Sequence, residues 1–360
     1  MSTAVVVGAG VFGAATAREL ARRGWEVTLV EQYAPGTVRS ASGGDTRLLR
    51  MAHGDADWYA SMAWRARTQW IELQEATGTR IWEPIGLAWF ASREDGFEQR
   101  SRASLERLGV PYEWLTPDEA RRLYPSVNVD DLASVLFEPD AGVLRARRAT
   151  QLLVEDGERH GVRLEGGRCL PADPPRADVV VWACGPWLAS LFPEVELKVT
   201  RRDVFFFGAD ASWRGAPGFC DYDAAFYGHG EIGGLGVKIA PDLPGDEIDP
   251  DTLDRIPLPS WEEAARAYTA HRFPALSGAP VIGTRVCQYD LSVDTHFIVD
   301  RHPDDPSWWL IGGGSGHGFK HGPAFAEYVA DCIEGARERE PFHALGARSG
   351  DAGLRTGSYG

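Results

Sequence analysis

The sequence predicts an α/β chain, α+β overall, in which a parallel-sheet unit assembled from separated segments is interleaved with an antiparallel sheet. Three observations predict it. Residues 5–31 run from Val5-Val6-Val7 through Gly8-Ala9-Gly10-Val11-Phe12-Gly13 into an alanine-rich helical pattern, then into a second apolar strand ending on Glu31. Residues 198–238 carry aromatic strand segments, among them Val204-Phe205-Phe206-Phe207 and Phe226-Tyr227. A second glycine-rich turn, Gly312-Gly313-Gly314-Ser315-Gly316-His317-Gly318, follows Leu310-Ile311 near the other end.

Strand, G-x-G-x-x-G turn, helix, strand and terminal acid fall in the order of a Rossmann-like dinucleotide-binding unit. Gly8 permits a tight turn, Gly10 lets a pyrophosphate approach the helix N-terminus, and Gly13 allows helix and strand to pack closely. The helix is expected over 14–23 with Gly24 as its stop, and Glu31 is placed to accept hydrogen bonds from a ribose. These residues leave open which dinucleotide binds.

With 360 residues the chain is long enough for two domains, since single cores stop growing at about 250–300 residues. The 44% hydrophobic content fits a globular protein. No charged-then-apolar leader precedes Val5, and the most apolar run, 179–193, is broken by Gly185-Pro186 and falls short of the ~20 residues a membrane helix needs. A cytoplasmic protein without a membrane partner is expected. The net charge of -15 also disfavours nucleic acid. Five cysteines, Cys169, Cys184, Cys220, Cys287 and Cys332, are scattered without C-x-x-C spacing, so neither disulfides nor a metal site are expected.

Along the chain, Arg47 and Arg50 are expected on a turn or short helix. Residues 57–75 have Met62, Ala66, Trp70 and Leu73 at helical spacing, which marks a core face. Helices are expected over 97–108, ended by Gly109, and after the capping box Thr116-Pro117-Asp118-Glu119. Another follows over 145–158. Glycines and prolines over 161–178 leave little room for regular structure. Val179-Val180-Val181-Trp182 reads as a third buried strand, and Ser260-Trp261-Glu262-Glu263 as a capping box opening a helix to about 272. Residues 347–360 read as a flexible tail.

Taken together, several spaced motifs resemble the sarcosine oxidase branch of the D-amino-acid-oxidase-like flavoproteins, which includes N-methyltryptophan oxidase. They are residues 8–31, Gly44-Asp45-Thr46-Arg47 with Arg50, Phe137-Glu138-Pro139, Phe226-Tyr227-Gly228 leading to Gly236-Val237-Lys238, and Cys287 with Ser315-Gly316-His317-Gly318-Phe319-Lys320. The resemblance implies FAD, held between a Rossmann-like FAD-binding domain (1–55, 140–199 and 289–346) and an antiparallel-sheet substrate domain (56–139 and 200–288).

It also implies roles. Gly8, Gly10, Val11, Phe12, Gly13, Glu31, Gly44, Thr46, Arg47, Gly314, Gly316, Gly318, Phe319 and Lys320 would bind FAD, and Cys287 would bond covalently to the flavin 8-methyl position. Arg50 and Lys320 would hold a substrate carboxylate, the first as a planar fork and the second as a point charge. Lys238 would lie over the flavin face opposite the substrate and stabilise the anion formed as O2 accepts an electron. Tyr227, Tyr289 and His317 would surround the substrate, His317 being equally readable as a structural histidine.

The sequence departs from the family at Asp242, where the sarcosine enzyme has a pocket histidine, at Gln288 in place of an apolar residue, and at Ala41-Ser42-Gly43. The short 161–178 segment predicts a trimmed β-meander. The resemblance thus implies an oxidase of a secondary-amine amino acid, N-alkyl or cyclic, giving an imine and hydrogen peroxide, with a small amino acid and O2 as partners and the chain as a monomer. A dehydrogenase using another acceptor and a silent FAD-binding scaffold are the alternative readings.

Overall fold

The computed structural model describes residues 1–346, 348–350 and 352–354. Its first sheet has six strands in the order Ile298–Arg301, Trp308–Gly312, Val179–Trp182, Thr3–Val7, Glu26–Glu31 and Arg163–Gly166. All pairs are parallel except the first, and Val5 lies between Val180 and Thr28. Such strands are covered on both faces and read as continuous apolar runs, as Val5-Val6-Val7 and Val179-Val180-Val181 do. The Val11–Arg22 helix packs on this sheet against Ala146–Arg159 and Gly322–Ile333. Phe12 stacks on Phe325 with centroids 4.1 Å apart.

The second sheet has eight strands in the order Val281–Ser292, Leu197–Phe207, Val237–Pro241, Phe226–His229, Gly218–Asp221, Leu87–Ala91, Ser134–Glu138 and Glu113–Leu115. It is antiparallel except where Gly218–Asp221 meets Leu87–Ala91. Two of its strands, Leu197–Phe207 and Val281–Ser292, run unbroken through the divisions expected at 199/200 and 288/289. A third sheet joins Arg47–Leu49, Gly142–Leu144 and Trp82–Glu83. The Asp57–Thr77 helix buries Met62, Ala66, Trp70 and Leu73, the expected core face.

Four local expectations are corrected. Arg47 and Arg50 stand on and just beyond a strand, not a turn or short helix, because Arg47–Leu49 pairs with Gly142–Leu144. Residues 161–178 contain a strand, Arg163–Gly166, parallel to Glu26–Glu31. All four of its residues are exposed, so backbone pairing at a sheet edge holds it without the apolar pattern that would betray it. The helix near 260 starts at Pro259 with Leu258 as N-cap, so Ser260 lies within its first turn and does not cap it. Proline at the first helical position, with its φ already fixed, sets that start.

The last correction concerns the tail. Residues 347, 351 and 355–360 of the expected flexible tail lie outside the described residues. Those described are anchored: Arg348 pairs with Asp294 at 2.8 Å, the Ala352 N–H donates to the Asp294 carbonyl at 3.0 Å, and Leu354 is fully buried.

Candidate active site

A trough runs along the ends of the parallel strands and turns under the antiparallel sheet. Its first part is lined by Gly8, Gly10, Glu31 and Cys184, its middle by Gly10, Arg47, Tyr289 and Gly314, and its end by Arg50, Tyr227, Asp242, Tyr289, His317 and Lys320. Adjacent parts share residues, Gly10 joining the first two and Arg47 with Tyr289 joining the last two. The shape is that of an extended ligand followed by a small pocket.

Two of the three glycines of the first turn are required by the fold and the third is not. Gly8 has φ +104, and a Cβ on Gly13 would lie 1.9 Å from the Gly8 carbonyl oxygen, so the fold itself excludes side chains there. A Cβ on Gly10 would meet only Ser42 Oγ, at 3.4 Å. The chain leaves Gly10 bare without needing to, as a ligand approaching the backbone requires. That is the observation by which FAD fits the trough. Glu31 lies beside this turn, accepting from the Ala9 N–H at 2.8 Å, and Ser42 Oγ accepts from the Val11 N–H at 3.0 Å.

At the second turn, Asp290 accepts from the Gly314 N–H at 3.1 Å, and burial raises its pKa to about 6. Gly316 has φ +74, and a Cβ there would lie 2.7 Å from the Tyr289 ring. Gly318 packs as closely on Phe12, which ties the two turns together. Phe319 lies parallel to Trp70, and the carbonyl of Lys320 accepts from Trp70 Nε1 at 2.8 Å.

Arg47 reaches back along its own loop to the carbonyls of Thr46 and Ala41, at 2.9 and 2.8 Å. Burial opposes its charge, but Cys287, Tyr227 and Tyr289 beside it raise its pKa. Cys287 therefore lies against a cation, and Arg255 binds the neighbouring Val286 carbonyl at 3.0 Å. On one strand, residues two apart share a face: Cys287 and Tyr289 look toward the trough, whereas Gln288 turns away and donates to the Arg39 carbonyl at 2.6 Å. Gln288, a departure from the family, accordingly does not line the pocket.

Lys238 is 1% exposed, and burial first, then Arg47, lowers its pKa to about 7. Its Nζ lies 3.3 Å from the Thr46 carbonyl and 5.2 Å from the Tyr227 ring centroid. Thr46 Oγ1 meets His229 Nε2 at 2.9 Å, and His229 Nδ1 meets the Gly230 carbonyl at 2.7 Å. Burial and Lys238 push His229 down to about 3, so it stays neutral and accepts from the threonine.

In the end pocket Arg50 and Lys320 are both buried, and desolvation lowers the pKa of each. Arg50 stacks on Trp89 at 4.8 Å and donates to the Ala52 and Leu354 carbonyls. Glu138, fully buried, accepts from the Met51 N–H at 2.7 Å and from Trp89 Nε1 at 2.8 Å. Lys320 Nζ donates to the His317 carbonyl at 2.7 Å. Across the pocket, Tyr227 and Tyr289 hydroxyls are 3.1 Å apart, and Asp242, 3% exposed, lies 3.6 Å from Arg202 Nε. His317 Nε2 meets the Thr295 carbonyl at 2.9 Å, and burial and Lys320 hold the ring neutral.

Sequence reading missed His229 and Asp290, neither of which stands in a recognisable spacing, and noticed Ser42 only as part of a loop that departs from the family. It also expected no metal site. Yet His53, His317 and His321 converge, with one ligand atom from each within 4.8 Å of the others.

The dinucleotide trough and the cation-lined pocket at its end define a flavin-dependent oxidoreductase. The chain belongs to the FAD dependent oxidoreductase family, whose family model matches residues 3–332. It is 29% identical over 364 residues to monomeric sarcosine oxidase of Bacillus sp. (strain B-0618), covering 93% of both chains. It is 25% identical over 349 residues to N-methyl-L-tryptophan oxidase of Yersinia pestis (strain Pestoides F), covering 91% of this chain and 93% of that enzyme. Among solved structures it superposes on L-proline dehydrogenase from P. horikoshii with a TM-score of 0.83, 22% identity and 96% coverage of both chains. A modified fructosyl peptide oxidase from Aspergillus nidulans gives 0.84 and 20%, covering 98% and 95%. These two show the fold. The expected resemblance to the sarcosine oxidase branch is borne out. No helix among the described residues is long and apolar enough to cross a membrane.

Proposed function

We propose that this protein oxidises an amino acid bearing a secondary amine, N-alkylated or cyclic, to its imine, with O2 reduced to hydrogen peroxide. One observation carries the reading: two buried cations, Arg50 and Lys320, line the same small pocket as the Tyr227–Tyr289 pair, at the end of a dinucleotide trough. The two relatives named above are oxidases of sarcosine and of N-methyl-L-tryptophan, both N-methyl amino acids, which supports it.

FAD, when bound, supplies the two-electron acceptor. The chain's own residues bind, orient and exclude water. Glu31 and the bare Gly10 turn would hold the dinucleotide; Gly44, Thr46 and Arg47, with the Gly314, Gly316 and Gly318 turn and Phe319, would enclose its other end. Cys287, beside Arg47, is the thiol that would anchor it covalently.

Arg50 and Lys320 hold the substrate carboxylate. Two unit charges about 4 Å apart attract by about 4 kcal/mol in partly screened surroundings, enough to orient a small zwitterion by this end alone. The α-carbon then lies between the fork and the tyrosine pair, which with Asp242 shapes the amine side. An acid there suits an amine or side chain carrying hydrogen-bond donors. Lys238, whose charge is held in a dry site, stabilises the anion that forms as oxygen takes an electron. His317 shapes the pocket, its ring held in place by the Nε2–H donated to the Thr295 carbonyl. The protein works as a cytoplasmic monomer on this reading.

Kinetics with an N-methyl amino acid against its carboxamide test the assignment. The neutral carboxamide should lose at least about a hundredfold in kcat/KM, one charge-assisted contact being worth 1.5–3 kcal/mol and the fork providing two. Equal rates would remove Arg50 and Lys320 from their role.

A further inference from the structure

Three imidazoles converge behind the carboxylate fork. His53, His317 and His321 are 1%, 4% and 0% exposed. His53 Nδ1 lies 2.7 Å from the Met51 carbonyl and His317 Nε2 lies 2.9 Å from that of Thr295. A carbonyl only accepts, so each of these nitrogens carries its ring's proton, and His53 Nε2 and His317 Nδ1 are bare lone pairs. Neither of them, nor either nitrogen of His321, has a hydrogen-bond partner among the described residues. One ring proton on His321 can serve one lone pair and leaves the other unsatisfied, at a cost of about 1–3 kcal/mol.

Backbone carbonyls that take one ring nitrogen of a histidine and leave the other free are the outer support that metal-binding histidines characteristically have. We propose that His53, His317 and His321 form a three-nitrogen site for one zinc-class divalent ion, with water as the fourth ligand, pinning the 315–320 turn to the 51–54 segment. The ion class follows from the donors: three neutral imidazoles suit zinc and its neighbours and do not suit calcium or magnesium, which require oxygen. The role is structural, since only His317 of the three lines the pocket.

Arg50 and Lys320 are the cations facing the cluster, and Glu138, on the N–H groups of Met51 and Ala52, is the balancing acid. Their repulsion weakens the site. A carboxylate bound between Arg50 and Lys320 offsets it, so on the reading of the pocket given above, zinc and such a ligand tighten each other's binding.

The test uses the full chain, purified without a polyhistidine tag, exposed to Zn2+ and then dialysed against metal-free buffer. Elemental analysis should find about one zinc per chain, and zinc-edge X-ray absorption should show three imidazole nitrogens at about 2.0–2.1 Å. His53→Gln and His321→Leu should each lower zinc retention at least about tenfold while the flavin spectrum stays native, a ligand mattering no less than its outer support. Wild-type protein holding less than about a tenth of an equivalent would overturn the proposal, as would zinc bound through fewer than two imidazoles or unchanged retention in both variants. No turnover enters these readouts, so they stand or fall separately from the amine oxidase reading.

Discussion

Arg50 donates from Nη2 to the backbone carbonyl of Leu354 at 2.9 Å, joining the fork of the pocket to the far end of the chain. Tyr222 holds the same segment, its hydroxyl donating to the Gly353 carbonyl at 3.2 Å. On the proposed reading, a substrate carboxylate competes with the Leu354 carbonyl for the Arg50 guanidinium. Ending the chain at Gly350 should therefore lower KM for a carboxylate substrate by about tenfold, the worth of one such contact. Steady-state kinetics of the truncated protein check this; an unchanged or higher KM would show that the tail does not compete.

The glycines of the first turn separate cofactor binding from folding. Gly13→Ala drives a Cβ into the Gly8 carbonyl and should destabilise the protein even without flavin, by several kcal/mol as backbone-strained sites do. Gly10→Ala places a Cβ no nearer than 3.4 Å to the rest of the chain and should leave apoprotein unfolding in urea nearly unchanged while abolishing FAD retention.

Lys238 should act on oxygen alone. Lys238→Met should slow aerobic reoxidation of the flavin by about 10²–10³-fold, as loss of a buried anion-stabilising group does, and leave anaerobic reduction within a few-fold. The pH dependence has a definite sign. Its pKa is lowered to about 7, so the cation is present below that value and lost above it. The oxygen half-reaction should be flat at low pH and fall as pH rises through about 7. Stopped-flow traces of the two half-reactions distinguish these effects.

Cys287 should keep the flavin through denaturation. Acid-precipitated wild-type protein should form a yellow pellet, and Cys287→Ser a colourless pellet under a yellow supernatant. Colour washing out of the wild-type pellet would remove the covalent bond from the account.

Asp242 and Arg202 form a pair buried to 4% and 1% side-chain exposure. Asp242→Ala takes a carboxylate from a guanidinium that stays in the interior, which costs about 3–5 kcal/mol where such pairs are buried. The urea midpoint should fall accordingly, and KM for substrates with donor-bearing side chains should rise.

Much of the site was legible because its chemistry is carried by short local patterns. The first turn shows itself through Gly8, Gly10 and Gly13, and the two buried side chains of the end pocket, Arg50 and Lys320, stand in two recognisable motifs. What sequence hid was set by tertiary pairing. The exposed Arg163–Gly166 strand has no apolar alternation to read, and Arg47 joins a strand because of a partner about a hundred residues away. The departure at Gln288 carries no consequence for the pocket, because strand alternation turns its side chain to Arg39. Residues 353–354 read as tail because the partners that hold them, Tyr222 at the Gly353 carbonyl and Arg50 at that of Leu354, are distant in sequence. Of the histidine cluster only His317 stands in a recognised motif, and His53 and His321 enter it through the fold.

The central claim is that one pocket both holds an amino acid carboxylate and passes two electrons from its amine to oxygen. Mixing the holoenzyme anaerobically with a series of N-methyl and cyclic amino acids, then admitting air, tests it most directly. The flavin absorbance should bleach with at least one of them, return in air, and yield one hydrogen peroxide per imine formed. Bleaching that returns without peroxide would contradict the oxidase, and no bleaching by any secondary-amine amino acid would contradict the substrate class.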